Sequence, residues 1–258
     1  MWRKLATLTL ALLIPLAAAC GPRVSDDAPV ARPARPAPPA PAPAAPAQTP
    51  QTPQTTQKLP VVVFLGDSLT AGLGLNEDQA YPALLGKQLQ QEGLPVRVVN
   101  AGVSGDTTAG GLSRLSWLLK QHPDVVVVAL GANDGLRGLP VQQADSNLRE
   151  IVRRARAAGA RVLLLGMQMP PNYGPEYTAQ FSAMYPKIAS DLNVPLLPFL
   201  LAGVGGNRDL NQADGIHPTA RGQEIVARNV LPYLEKVLSS GGGATGVESR
   251  VDRKSGGG

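Results

Sequence analysis

VVVFLGDSLT, residues 61–70, decides how this chain is read. Val61, Val62, Val63, Phe64 and Leu65 follow one another without a polar break. Such a run suits a strand buried on both faces of a parallel sheet, where no alternation of apolar and polar residues is needed. The run stops abruptly at Gly66-Asp67-Ser68. In an α/β sheet the ligand crevice lies outside the carboxyl ends of the strands. A serine delivered there is a candidate nucleophile. The competing reading of the same residues is a strand-to-helix turn in which Ser68 or Thr70 caps the next helix.

Downstream, strand and helix patterns alternate. Helical spacing of Ala83, Leu84, Leu85 and Leu89 predicts a helix over 81–92, and PVRVV predicts a short strand at 95–99. A helix through Leu112, Leu115, Leu118 and Leu119 follows. DVVVVAL at 124–130 reads as a central strand, then come a helix over 141–158 and a strand at 161–165. A helix over 179–192, a strand at 194–197 and a final helix beginning at Pro218 complete the series. Alternation of this kind predicts one doubly wound α/β domain over residues 58–238. Right-handed crossovers then give a three-layer α/β/α sandwich on a parallel sheet.

The polar breaks after the first four strands fall on one edge of that sheet. They bring Ser68, Gly105, Asn133 and the 167–171 loop toward one crevice. A serine nucleophile needs a base, usually histidine. The chain has two, His122 and His217. His122 precedes the third strand, at the opposite edge, and reads as a surface residue. His217 lies in Asp214-Gly215-Ile216-His217-Pro218, before the last helix, where it can fold over the carboxyl edge. Asp214 can share a face with it, fix its tautomer and stabilise the imidazolium; its plainer reading is a turn or capping residue. The backbone N–H groups of Ser68 and Gly105 and the side-chain amide of Asn133 are the available oxyanion donors. No G-x-S-x-G elbow, Walker loop or dinucleotide fingerprint is present.

The flanks have a different character. Residues 1–20 combine Arg3 and Lys4 with an apolar run over 5–16 and then Ala17-Ala18-Ala19-Cys20, the pattern of a signal peptide. The small residues before Cys20 resemble a bacterial lipobox, which would make Cys20 a lipidation site and the exported protein membrane-anchored; ordinary secretion with cleavage near Ala19 is the alternative. Residues 21–57 are rich in Pro, Ala, Gln and Thr and read as an extended, disordered linker. Residues 239–258 read as a disordered Gly/Ser-rich tail.

Cys20 is the only cysteine, so no internal disulfide can form, and two histidines with no other thiol exclude a structural zinc cluster. The formal charge of +5 suggests an acidic partner until it is partitioned. Residues 59–238 hold 15 Lys/Arg and 15 Asp/Glu, so the excess lies in the flanks. With no basic patch interleaved with aromatics, nucleic acid is not an expected partner.

Gly66–Leu69 (GDSL), the glycine of VSGDT at Gly105, GAND at Gly131–Asp134 and DGIHP at Asp214–Pro218 resemble the four blocks of the SGNH (GDSL) hydrolases. LLKQHPD, GANDGLRGLP and PPNYGPEY are similar to the bacterial thioesterase I, arylesterase and lysophospholipase group. The resemblance implies a flavodoxin-like fold with a five-stranded parallel sheet, acting without metal or cofactor. It implies Ser68 as nucleophile, Asp214 and His217 as its triad partners, and Ser68, Gly105 and Asn133 as the oxyanion hole. It also implies acyl contacts from a loop carrying Gly135, Leu136 and Leu139 and from Met167, Met169 and Pro170. The expected function is a monomeric, exported serine esterase acting on small-molecule or lipid esters: aryl or short-to-medium acyl esters, lysophospholipids or thioesters. A carbohydrate O-deacetylase of the same superfamily and a catalytically silent surface-binding lipoprotein are the rival readings.

Overall fold

The computed structural model describes residues 58–240. The expected signal peptide at 1–20 with Cys20 and the expected linker at 21–57 lie outside the described residues, as does the expected tail beyond residue 240; Ser239, at the start of that tail, ends the last helix instead. Five parallel strands form one sheet in the order β2-β1-β3-β4-β5: β1 (Val61–Gly66), β2 (Arg97–Gly102), β3 (Val125–Ala129), β4 (Arg161–Leu165) and β5 (Leu196–Leu197). Helices α1 (Ser68–Ala71), α2 (Tyr81–Gln91), α3 (Thr108–Leu119), α4 (Ala132–Leu136), α5 (Val141–Ala157), α6 (Pro175–Leu192) and α7 (Ala220–Ser239) fill the connections. Among the described residues no helix is long and apolar enough to cross a membrane.

Every residue of β1 and β3 is buried, as their unbroken apolar runs require of central strands. Phe64 on β1 meets Tyr81 on α2 edge-to-face at 5.7 Å. On the other side, α5 buries Val141, Ala144, Leu148, Ile151, Val152 and Ala155, a stripe at helical spacing. The chain leaves β1 for β2 on one side and then returns to β3 on the other. That reversal makes the gap between β1 and β3 the switch point where doubly wound sheets bind ligands. Ser68 follows β1 and Asn133 follows β3, so the two flank it.

Several boundaries differ from the sequence reading. Strand β2 runs to Gly102 because Asn100, Ala101 and Gly102 pair with Phe64, Leu65 and Gly66; polar Asn100 concealed this continuation. Helix α6 begins at Pro175, well before 179, since proline suits a first helical position while an exposed first turn shows no apolar period. The last helix does not begin at Pro218. Thr219 caps it, its hydroxyl accepting from the Gly222 N–H, and Pro218 stays extended in a bridge with Asn211. Helix α1 is capped by Asp67 rather than by Ser68 or Thr70.

Candidate active site

The turn after β1 is tightly specified. A Cβ on Gly66 would lie 2.0 Å from Thr70 Oγ1, so only glycine lets α1 fold back onto the strand. The Asp67 carboxylate accepts from the Leu69 N–H at 3.0 Å and starts the helix, placing Ser68 at its first position. The turn is also gripped from outside. Thr70 Oγ1 and Tyr81 Oη lie 2.9 Å apart, Asn100 Nδ2 donates to Thr70 O, and buried Gln223 of α7 donates to Leu69 O while accepting from Tyr81 N–H. These contacts fix the backbone of Ser68.

His217 reaches this turn from the far end of the chain. Its Nε2 lies 2.9 Å from Ser68 Oγ and its Nδ1 lies 2.7 Å from Asp214 Oδ2. An ionised carboxylate only accepts, so Nδ1 carries the proton and the Nε2 lone pair faces the serine hydroxyl. Gly215, at φ +77°, turns the chain so that Asp214 and His217 share a side. The other Asp214 oxygen accepts from the N–H groups of Ile216 and His217. The His217 ring hydrogen bond, followed by those two N–H groups, holds the Asp214 carboxyl down to about 2. Asp214 is nevertheless 45% exposed, against 14% for His217, so solvent shares in its stabilisation.

Gly105, at φ +80°, lies beside Ser68 in the same cleft. Among the described residues its N–H has no hydrogen-bond acceptor, while Arg137 Nη2 donates to its carbonyl at 2.8 Å. Asn133 Nδ2 donates to Asp106 O at 2.9 Å; its distance to Asp67 Oδ2, 3.4 Å, is long for a hydrogen bond. One amide proton is thus firmly engaged and the other only loosely. Asp134, buried next to Asn133, accepts from the backbone N–H and hydroxyl of Thr108, tying the end of β3 to α3.

Ser68, Gly105, Asn133 and His217 all line one cleft of about 620 Å³. Its other walls are largely apolar, with Leu136, Met167, Met169 and Pro170 among them. Leu73, Phe199 and Leu201 also line it and were not anticipated, since they come from loops outside the four motif blocks; Ile216 lines it as well, within the Asp214–Pro218 block but given no role by the sequence reading. Gly135 and Leu139 do not line the cleft, contrary to expectation. Gly135 instead lets Met169 pack close, because a Cβ there would sit 2.1 Å from the methionine sulfur. Leu139 presents its carbonyl to the Tyr177 hydroxyl. His122 is exposed at the end of α3, as expected. Among the described residues no cluster of His, Cys, Asp and Glu has the composition to hold a metal.

Comparison with known proteins agrees with this geometry. A profile of the GDSL-like Lipase/Acylhydrolase family matches residues 64–225. Esterase TesA of Pseudomonas aeruginosa is 50% identical over 178 residues, covering 69% of this chain and 89% of the relative. Thioesterase 1/protease 1/lysophospholipase L1 of Escherichia coli strain K12 is 47% identical over 179 residues, covering 69% and 85%. The crystal structure of the psychrotrophic esterase EstA from a Pseudoalteromonas species, inhibited by monoethylphosphonate, superposes with a TM-score of 0.66 at 36% identity, covering 69% of this chain and 98% of that one.

Proposed function

The chain belongs to the GDSL-like lipase/acylhydrolase family and is a serine ester hydrolase, and from that premise we propose that Ser68 is its nucleophile. The observation that carries this reading is the unbroken chain from Ser68 Oγ through His217 to Asp214, at 2.9 and 2.7 Å. Ser68 Oγ attacks the ester carbonyl carbon as its proton passes to His217 Nε2. The resulting oxyanion takes hydrogen bonds from the Ser68 and Gly105 N–H groups and from the Asn133 amide, which turns its loosely held proton to it. Collapse breaks the bond to the leaving oxygen or sulfur, which receives the proton from His217. Water then repeats the sequence on the acyl-enzyme, freeing the acid and restoring Ser68. Asp214 stays ionised throughout and stabilises the imidazolium.

The apolar cleft supports substrates with an aryl or a short-to-medium acyl group; a volume near 620 Å³ is ordinary for a small-molecule site. Lysophospholipids and acyl thioesters fit the same chemistry, and relatives named for both activities support them. The test is a ladder of p-nitrophenyl esters from acetate upward, with acetylated sugars as controls, for wild type and Ser68→Ala. Activity rising beyond acetate and abolished in the variant is expected. Activity confined to acetyl-sugars would instead mark a carbohydrate deacetylase, and none at all a silent binding protein.

Export and anchoring form part of the same proposal. Arg3-Lys4, the apolar run over 5–16 and Ala-Ala-Ala-Cys at 17–20 support a lipid on Cys20, with residues 21–57 spacing a monomeric enzyme from the membrane. Wild type should fractionate with envelope membranes and Cys20→Ser should be released. Recovery of wild type wholly in the soluble exported fraction would reject the anchor.

A further inference from the structure

The nucleophile, the Gly105 loop and the Asn133 amide stand on the ends of three different strands, and their mutual spacing must be held by something. One side chain binds the first two of these regions directly and is linked to the third through Asp106. Arg114 on α3 donates from Nη2 to Gly66 O at 2.9 Å, from Nη1 to Ala101 O at 2.7 Å and from Nε to Asp106 Oδ2 at 2.7 Å. Gly66 is two residues before Ser68. Ala101 lies near the end of β2, where the chain enters the Gly105 loop. Asp106 adjoins Gly105, and its carbonyl accepts from Asn133.

The arrangement is sheltered and shaped for its task. The Arg114 side chain is 22% exposed and that of its partner Asp106 13%, so water competes weakly for the pair. Gly66 O also accepts from the Val103 N–H, which stitches the ends of β1 and β2 together at the same atom. Gly110 leaves room for the Asp106 carboxylate, since a Cβ there would meet its oxygen at 1.8 Å. Arg114 itself does not line the cleft.

We propose that Arg114 is the positioning residue of the oxyanion site. By holding Gly66, Ala101 and Asp106 in one planar fork, it sets Ser68, Gly105 and Asn133 at the spacing a tetrahedral oxyanion needs. This rests on the serine esterase reading above. Lysine cannot replace it, because a single ammonium on a flexible stem lacks the fixed directions of a guanidinium. The apolar cleft binds the ground state without these donors, so the loss falls on the transition state.

Four proteins test this: wild type, Arg114→Lys, Asp106→Asn and the double variant. Each is assayed with p-nitrophenyl butyrate and titrated with butylboronic acid, which forms a tetrahedral adduct on a catalytic serine, and with 1-butanol, which forms none. Arg114→Lys should lose about 10–100-fold in kcat, the scale expected of an ångström-sized misplacement. Boronate affinity should fall in parallel, while KM and butanol inhibition stay within about twofold. The double variant should be little worse than the poorer single one, since both residues serve one clamp. Should Arg114→Lys fail to fold, Asp106→Asn, which keeps the side-chain shape, provides the same readouts. Wild-type kcat in the folded variants, or parallel loss of boronate and butanol binding with a lowered thermal midpoint, overturns the positioning role. Failure of wild type itself to bind boronate overturns the serine reading and this inference with it; boronate binding by wild type and Arg114→Lys alike overturns only the role of Arg114.

Discussion

The carboxylate of Asp67 faces the side-chain amide of Asn133 across 3.4 Å, one residue from Ser68 in the chain. Asp67 is only 1% exposed. Burial pushes its carboxyl up to about 6 from an ordinary 3.8, opposed mainly by the Leu69 N–H and then by the charge His217 carries when protonated. An acid beside Ser68 is therefore held ionised at a cost in stability.

The sign of that cost can be measured. A carboxyl raised in the folded state stabilises fully below its unfolded value near 3.8 and ceases to do so as pH rises through about 6. Wild type should lose on the order of 3 kcal/mol relative to Asp67→Asn between about pH 4 and pH 7. Asparagine keeps the capping acceptor, so the comparison isolates the charge. Urea unfolding of both proteins at stepped pH checks it; a difference that does not change with pH would refute the burial cost.

Replacing Asn133 with alanine should lower kcat by about 10²–10³, the usual loss for one oxyanion donor, with KM nearly unchanged. Steady-state kinetics decide the matter. A raised KM at constant kcat would make Asn133 a ground-state binding residue.

Asp214→Asn should slow turnover by less than the ~10⁴ seen when a buried triad aspartate is replaced, because water reaches this 45% exposed carboxylate and can partly take its place. Its pH effect runs opposite to that of Asp67. Lowered to about 2, Asp214 stabilises the fold above 3.8, and that contribution is lost as pH falls through about 2. His122→Gln should leave turnover unchanged, being at the opposite edge of the sheet. Parallel kcat measurements separate the two histidines, and activity in His217→Gln with none in His122→Gln would reverse the choice.

Tyr173 and Tyr177 donate their hydroxyls to Leu136 O at 3.1 Å and Leu139 O at 2.8 Å, clasping the loop that puts Leu136 in the cleft wall. The two rings lie 6.3 Å apart, and removing only the hydroxyls leaves both in place. Tyr173→Phe with Tyr177→Phe should raise KM about fivefold for esters long enough to touch Leu136, roughly the effect of one lost hydrogen bond. Turnover of acetate esters should not change. A uniform KM change along the ester ladder would show that the clasp does not shape the acyl wall.

Buried apolar runs and glycine-marked breaks are local signals, and they made the sheet, its parallel sense and the carboxyl-edge crevice legible in the chain itself. The four motif blocks likewise marked Ser68, Gly105, Asn133, Asp214 and His217, because each stands beside a turn that needs glycine or proline. No local pattern records what a side chain meets across the fold. Ser68 and His217 are 149 residues apart in the chain, and their 2.9 Å approach exists only once α7 has docked against β4 and β5. The same holds for Arg114, an ordinary arginine in a helix until the ends of β1 and β2 and the loop at Asp106 converge on it, and for Asp67, whose burial raises its carboxyl. Gly135 and Leu139 show the converse: near the site in the chain, they are turned from the cleft by Met169 and Tyr177. Sequence determined which elements form and where their polar breaks fall, because propensity and periodicity act between neighbours. Tertiary structure decided which polar groups share a buried volume, because desolvation and hydrogen-bond direction depend on atoms brought together from distant parts of the chain.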